Sequence, residues 1–478
     1  MKRVSALRPH PAMAFLTALW LVCLYRAVTQ PIVHDEALTW KLYLAAPASM
    51  MFTFFDANHH FLNTVLMRIT TGLLGVSEFS MRLPALFGAA LCFAAVYRIA
   101  RRTVSGWPWI LAAVAALTLN PIVLDFMVAA RGYGMALALW MWAFSELLPL
   151  LSGQSPANRD LLRASIAVSL SVVANLVFLF PAALLAGVAV VLMLRMRAAA
   201  PVEKRARKST LAARGPGVWR WFVLPIALCA VAFCLVAPID VARSADFYAG
   251  SASVVESLRS LASISVLYAR WARGMGALRD TVAFVLAPAL VAAALVIGVR
   301  RKDMVVLTPA LVAAGSGLLL AIGHAVTQMP LPMDRTGIYF PVLVMLAAVL
   351  LARDLGWRAW VPVLLVLGWF AAQFNVRTFY LWEYDADSRS IAERIATHRS
   401  SDAPESIRVG GSWKLEPSLN FYRVKNGWTW MAPIERGAIT PGFPLYALTT
   451  EDAGAVTALH LKTVYVGPLS ESVLAEAQ

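Results

Sequence analysis

Residues 31–40 read PIVHDEALTW, so Asp35 and Glu36 stand directly behind the first long apolar run of the chain. Carboxylates beside a membrane are hydrated, paired or used. Neighbours on a helix point about 100° apart, so this pair does not address one atom together. One acid can act on a substrate while the other holds a backbone group, a cation or a hydroxyl. The plainer use is a hydrated helix start, where acids favour the positive end of the dipole. Further on comes DANHHFLNT, residues 56–64, which gathers Asn58, His59 and His60 in the same segment as His34. Neutral imidazole beside carboxylate suits proton handling or a divalent metal. The spacing matches no compact zinc motif, so a divalent metal gains little support and the metal question stays open. Helix caps at an interface are the alternative use of His59 and His60.

Two more stretches carry charge at the ends of apolar runs. DFMVAARGYG, residues 125–134, holds Asp125, Arg131 and Tyr133. PMDRTGIYF, residues 332–340, holds Arg335 and Tyr339 four apart, the spacing of one helical face. An arginine costs about 2.5–3.5 kcal/mol at the centre of a bilayer and less near its surface, so one at a span end needs a partner. A lipid phosphate or Asp125 would serve. Either arginine alone is explained by snorkelling to headgroups. Two of them, with an acidic outer segment, point to an anion carrying a reactant.

These residues need elements to hold them. The chain has 478 residues, 60% hydrophobic and only 14% charged, well outside the soluble range. A span takes about 20 apolar residues. Runs of that kind fall near 12–30, 82–100, 107–124, 132–151, 161–177, 180–196, 219–238, 280–299, 304–324, 337–352 and 359–378, about eleven in all. Asn175 and Pro181 mark a break inside 161–196. The first run follows Lys2, Arg3 and Arg8 like a signal peptide but lacks a small-residue cleavage site, and reads as a retained helix.

Orientation follows from the cations. Arg98, Arg101 and Arg102, the eight Lys and Arg of 195–220, Arg300 to Lys302, and Arg353 with Arg358 share one side when the N-terminus is cytosolic. Residues 1–378 carry 33 Lys+Arg against 15 Asp+Glu; residues 379–478 carry 9 against 12. A basic chain can bind nucleic acid, but cations confined to short links between apolar runs read as positive-inside retention. The tail is then external. All four cysteines lie in apolar runs, so no disulfide framework is indicated.

The expected fold is an α-helical polytopic membrane protein with two parts. Residues 1–378 form a transmembrane catalytic domain with a long external loop, 31–81. Residues 379–478 form a small external α/β domain, in which DADSRSIAERIATHR reads as an amphipathic helix and IRVGGS, LYALTT and TVYVG as strands. A helix at the interface fits Val254, Val255, Leu258, Leu261 and Ser265.

HDE in the first external loop, N-H-x-x-L after it and A-R-G-Y between the third and fourth spans resemble the GT-C glycosyltransferases. The group most resembled is that of the bacterial protein O-mannosyltransferases and aminoarabinose transferases. The likeness covers about residues 10–380 in layout, through short motifs. It implies a polyprenyl-phosphate sugar as donor and an acid of the first external loop at the reaction centre, which carries Asp35 over as catalytic base with Glu36 beside it. It places His59 on the N-H of the pattern and Arg131 with Tyr133 on its R-x-Y, with Arg335 and Tyr339 as further donor-binding candidates. This sequence departs from the pattern at His60, where many relatives have proline, and at Ala129, where many have glutamate. Asp125, one turn earlier, can stand in for that second acid.

The reading that follows is an inverting transfer at the outer face of a bacterial cytoplasmic membrane. Lipid, polysaccharide and protein acceptors all fit. The competing reading is a transporter of a lipid-linked saccharide or other small molecule, whose intramembrane charges would line a pathway.

Overall fold

The computed structural model describes residues 10–198, 217–238, 250–398 and 407–478. Most of the basic link 195–220, and the start of the 239–279 segment, lie outside the described residues. The described residues are mostly helical, and among them eight helices are long and apolar enough to cross a membrane: Pro11–Thr29, Glu78–Thr103, Gly132–Leu151, Leu176–Ala198, Trp219–Val236, Gly276–Arg301, Met304–Thr327 and Asp334–Leu355. It is a multi-pass membrane protein. The other three apolar runs also form helices, shorter ones: Trp107–Thr118, Asn158–Ala174 and Trp360–Ala372.

The run expected over 107–124 stops at Thr118 for a local reason. Asn120 caps a new helix, Pro121–Phe126, its side chain accepting from the N–H of Ile122 at 3.2 Å. Pro121 sits in the first turn, where its missing N–H costs nothing. Asn175 breaks the 161–196 stretch in the same way, with φ −160° and its side chain accepting from Val177 N–H. Pro181 lies in the first turn of the helix Leu179–Ala198.

The chain divides into two compact units. The first comprises residues up to Cys23, His60–Asn63 and Ala85–Phe374. Its helices are tied by the Arg98–Glu146 ion pair at 2.7 Å and by the Trp140 indole N–H, which donates to Pro181 O at 3.0 Å. The helices Ala287–Arg301 and Met304–Thr327 form a tight hairpin. Lys302 turns the chain in the left-handed region at φ 54°, and Asp303 caps the second helix by accepting from Val305 and Val306 N–H. A Cβ on Gly298 would come within 2.9 Å of Leu307, so the two helices meet backbone to side chain.

The second unit comprises Leu24–His59, Thr64–Pro84 and Asn375–Gln478. The segment 31–81 is largely helical, with His34–Thr39, Met50–Thr53 and Phe61–Leu74 among its elements. The tail supplies the helices Ser388–Thr397 and Glu416–Lys425 and a four-stranded sheet. Its strands are β1 (Val409–Gly411), β2 (Leu445–Leu448), β3 (Leu461–Val466) and β4 (Val473–Ala477), in the order β1-β2-β4-β3. β1 runs parallel to β2, while β4 is antiparallel to both β2 and β3. Tyr446, Leu448, Leu461 and Ala475 form its core.

Candidate active site

The acid pair opens the helix His34–Thr39, and the second unit surrounds it with partners. Glu36 is fully buried and paired with Arg82, also fully buried. Arg82 donates Nε to Oε1 at 2.9 Å and a terminal nitrogen to Oε2 at 2.6 Å, a bidentate fork. Its remaining donors go to the carbonyls of Gln30 at 2.8 Å and Pro31 at 2.6 Å. Glu36 Oε2 also accepts the N–H of Val33 at 3.2 Å, which closes the first turn. Both oxygens of Glu36 therefore hold architecture: they fix the end of the first span, the helix start and the second span's entry to one guanidinium.

His34 and Asp35 share this frame. The backbone N–H of His34 donates to Asp385 Oδ2 at 2.6 Å, and Ser418 donates its hydroxyl to Asp385 Oδ1 at 2.8 Å. Burial pushes the Asp385 carboxyl well above the usual carboxylate range; these two donors pull it down, and the nearby charges of Asp35 and Glu36 push it up again. The ring of His34 places Nδ1 2.7 Å from Lys414 O, and since a carbonyl only accepts, that nitrogen carries the proton. Burial lowers the affinity of this imidazole for a second proton, against the pull of the Lys414 carbonyl and of Asp35. Asp35 is buried beside these groups, one residue from the clamp.

A second cluster braces the same segment. Glu78 accepts from Lys425 at 2.5 Å, Arg389 at 2.7 Å and the Tyr422 hydroxyl at 3.0 Å. Tyr422 in turn accepts the N–H of Ile32 at 3.0 Å. Asn58 and His59 lie buried on the turn after Phe55: Asp56 accepts from the N–H of Asn58 at 2.7 Å, and the His59 ring stacks on Tyr43 at 4.2 Å. Burial lowers the His59 imidazole to about 4.

The remaining predicted residues belong to the first unit. Asp125, on the helix Pro121–Phe126, accepts from the Tyr268 hydroxyl at 3.1 Å. Arg131 precedes the helix Gly132–Leu151 and is buried, as is Tyr133, whose ring meets His60 edge-on at 4.9 Å and Phe126 at 4.9 Å. The glycines of RGYG follow from packing. A Cβ on Gly132 would lie 2.0 Å from Ala174 O, and one on Gly134 2.0 Å from Phe126 O. Arg335 is half-buried on a 3₁₀ turn, Asp334–Gly337, while Tyr339 starts the helix Tyr339–Leu355 and packs against Phe178 at 5.5 Å. The two therefore occupy successive elements. The expected helix over 254–265 is present as Val254–Val266. It reaches the Arg335 turn through Ser257, which donates to Pro332 O at 2.6 Å, and Ser260, which donates to Asp334 at 2.8 Å.

Among the described residues, no three of His, Cys, Asp and Glu stand together as a metal-holding group. Both oxygens of Glu36 are engaged, by the Arg82 guanidinium and the Val33 N–H. Arg82, Asp385, Glu78 and Tyr422 were not singled out from sequence. Glu78 and Arg82 did leave a signal, being charges at the very start of an apolar run.

No family model matches the chain, and no curated protein does. Among solved structures it is similar to ArnT from Cupriavidus metallidurans in the apo state, at 11% identity and TM-score 0.44 over 98% of each chain. It is also similar to the same protein bound to undecaprenyl phosphate, at 13% identity and TM-score 0.38 over 98% of this chain and 97% of that one. A third likeness is to the arabinofuranosyltransferase AftD from Mycobacteria, at 14% identity and TM-score 0.45 over 97% of this chain and 40% of that one.

Proposed function

We propose that the protein is a membrane glycosyltransferase of the GT-C class. It moves a hexose or pentose from a polyprenyl-phosphate donor to an acceptor at the outer face of the cytoplasmic membrane. The observation that carries this reading is the division of labour in the acid pair. Glu36 is bound by Arg82 through both oxygens and fixes the helix start, while Asp35, buried on the same short helix, is proposed as the acid with the chemical role.

In the proposed step an acceptor hydroxyl or amine loses its proton to Asp35, and the freed electron pair forms the bond to the anomeric carbon. The bond from that carbon to the phosphate oxygen breaks, configuration inverts, and lipid phosphate departs with the bonding pair. Arg131 and Arg335 are proposed as the cations that receive its charge. Asn58, His59, Tyr133 and Tyr339 are proposed as donor-binding groups, and Asp125 as a second acid. The acceptor is a lipid, polysaccharide or protein.

The test is purified protein incubated with labelled polyprenyl-phosphate sugar. Lipid phosphate should be released, and Asp35→Asn should lower turnover about 10²–10⁴-fold while donor binding and unfolding temperature hold. A transporter would leave the donor intact; wild-type turnover in Asp35→Asn would remove Asp35 from the mechanism. A chelator arm in the same assay reads metal dependence directly.

A further inference from the structure

Away from the acids, within the first unit, a cavity of about 490 Å³ opens where several helix ends meet. Its apolar wall includes Leu150, Leu151, Leu192 and Met304. Four cations also line it: Arg195 from the last turn of Leu179–Ala198, Arg301 from that of Ala287–Arg301, Lys302 from the hairpin turn, and Arg353 from that of Tyr339–Leu355. Two acids offset them. Asp303 and Asp354 both bind Arg353, at 2.5 Å each, and Asp354 lies 3.9 Å from Arg301. Among the described residues Arg195 and Lys302 have no acidic partner.

Cations at the C-terminal ends of helices complement the helix dipoles, and basic residues of this kind also retain a loop in the cytosol. Neither function requires a cavity of headgroup size walled by leucine and methionine. Neither explains Lys302, whose backbone takes the left-handed conformation at φ 54°, where glycine is the least strained residue. A lysine there directs a charge into the cavity's lining at some conformational cost. Apolar wall plus unneutralised cations, at the ends of membrane-length helices, is the composition that binds an acidic lipid. We propose that this cavity holds the phosphate headgroup of an anionic phospholipid from the cytosolic leaflet, independently of the glycosyl-transfer reading.

The test titrates detergent-purified full-length protein with phosphatidylglycerol, phosphatidylcholine or inorganic phosphate, following unfolding temperature and lipid retained in native mass spectra. Wild type should bind phosphatidylglycerol in preference to phosphatidylcholine. Lys302→Gly relieves the left-handed strain, so basal unfolding temperature should hold or rise while affinity falls roughly 5-fold; adding Arg301→Gln should bring the loss to about 30-fold. Arg101→Gln, at the end of another helix, should leave affinity unchanged. Equal affinity for the two lipids, or unchanged affinity in the double variant, overturns the proposal. Displacement of the lipid by millimolar inorganic phosphate, with the same thermal shift, would overturn the lipid source and assign the cavity to free phosphate.

Discussion

Asp35 and Glu36 are adjacent, and the structure gives Glu36 a structural duty through its buried pair with Arg82. Glu36→Gln takes the charge from one side of a fully buried ion pair, which typically costs about 3–5 kcal/mol. Its unfolding temperature should therefore fall sharply, and Arg82→Lys should follow it because an ammonium cannot make the fork or reach the Gln30 and Pro31 carbonyls together. Asp35→Asn should unfold near the wild-type temperature. Matched thermal melts of the three variants check this, and equal losses would erase the distinction. His59 gives a pH signature. Its imidazole is lowered to about 4 by burial, against about 6.5 in an unfolded chain. The unfolded state thus binds the extra proton first, so the stability from a neutral His59 is complete above about pH 6.5 and is lost as pH falls toward 4. His59→Gln should flatten the melting curve against pH in that window. The acid pair was legible in the sequence because carboxylates behind an apolar run are conspicuous. Its partners were not: Arg82 lies 46 residues from Glu36 and Asp385 lies 351 from His34, and no local pattern encodes such pairings.

At the scale of elements, apolar content located the helices well and their ends less well. Each of the eleven apolar runs forms a helix, but Asn120 and Asn175 cut two of them short by side-chain capping, which hydropathy does not register. Three tail strands were legible from β-branched and aromatic residues, whereas β4, reading VLAEA, carries too weak an alternation to show. The RGYG motif illustrates a different gap. Sequence offered Arg131 and Tyr133 as chemistry and left the glycines unexplained. Gly132→Ala would drive a Cβ to 2.0 Å from a backbone oxygen, so the helix must shift away from Ala174. Overpacking of that kind costs about 1–3 kcal/mol. The expected result is a lower unfolding temperature and a loss of turnover with Arg131 and Tyr133 still in place; a wild-type melt would contradict the packing account.

At the scale of the whole molecule, the positive-inside pattern predicts that reporter fusions after Gln478 are external and those after Lys208, in the link outside the described residues, are cytosolic. A silent periplasmic reporter at Gln478 would overturn the external placement of the tail. The second unit joins residues near 30 to residues near 420: the Ile32 N–H finds its acceptor, Tyr422, 390 positions later. Removing residues 379–478 should therefore expose Glu78 and leave His34 without Asp385, so the truncated protein is expected to be inactive and poorly stable, measured by yield and melting after purification. The same long pairing imposes an order on biosynthesis. Ribosomes add about 5–20 residues per second, so the segment bearing Asp35 emerges roughly 20–80 s before the tail that completes its surroundings. Until then the membrane holds a chain in which Glu78 lacks Lys425 and Tyr422 and His34 lacks Asp385, so the surroundings of the acid pair close only once Tyr422, 390 positions after Ile32, has been made.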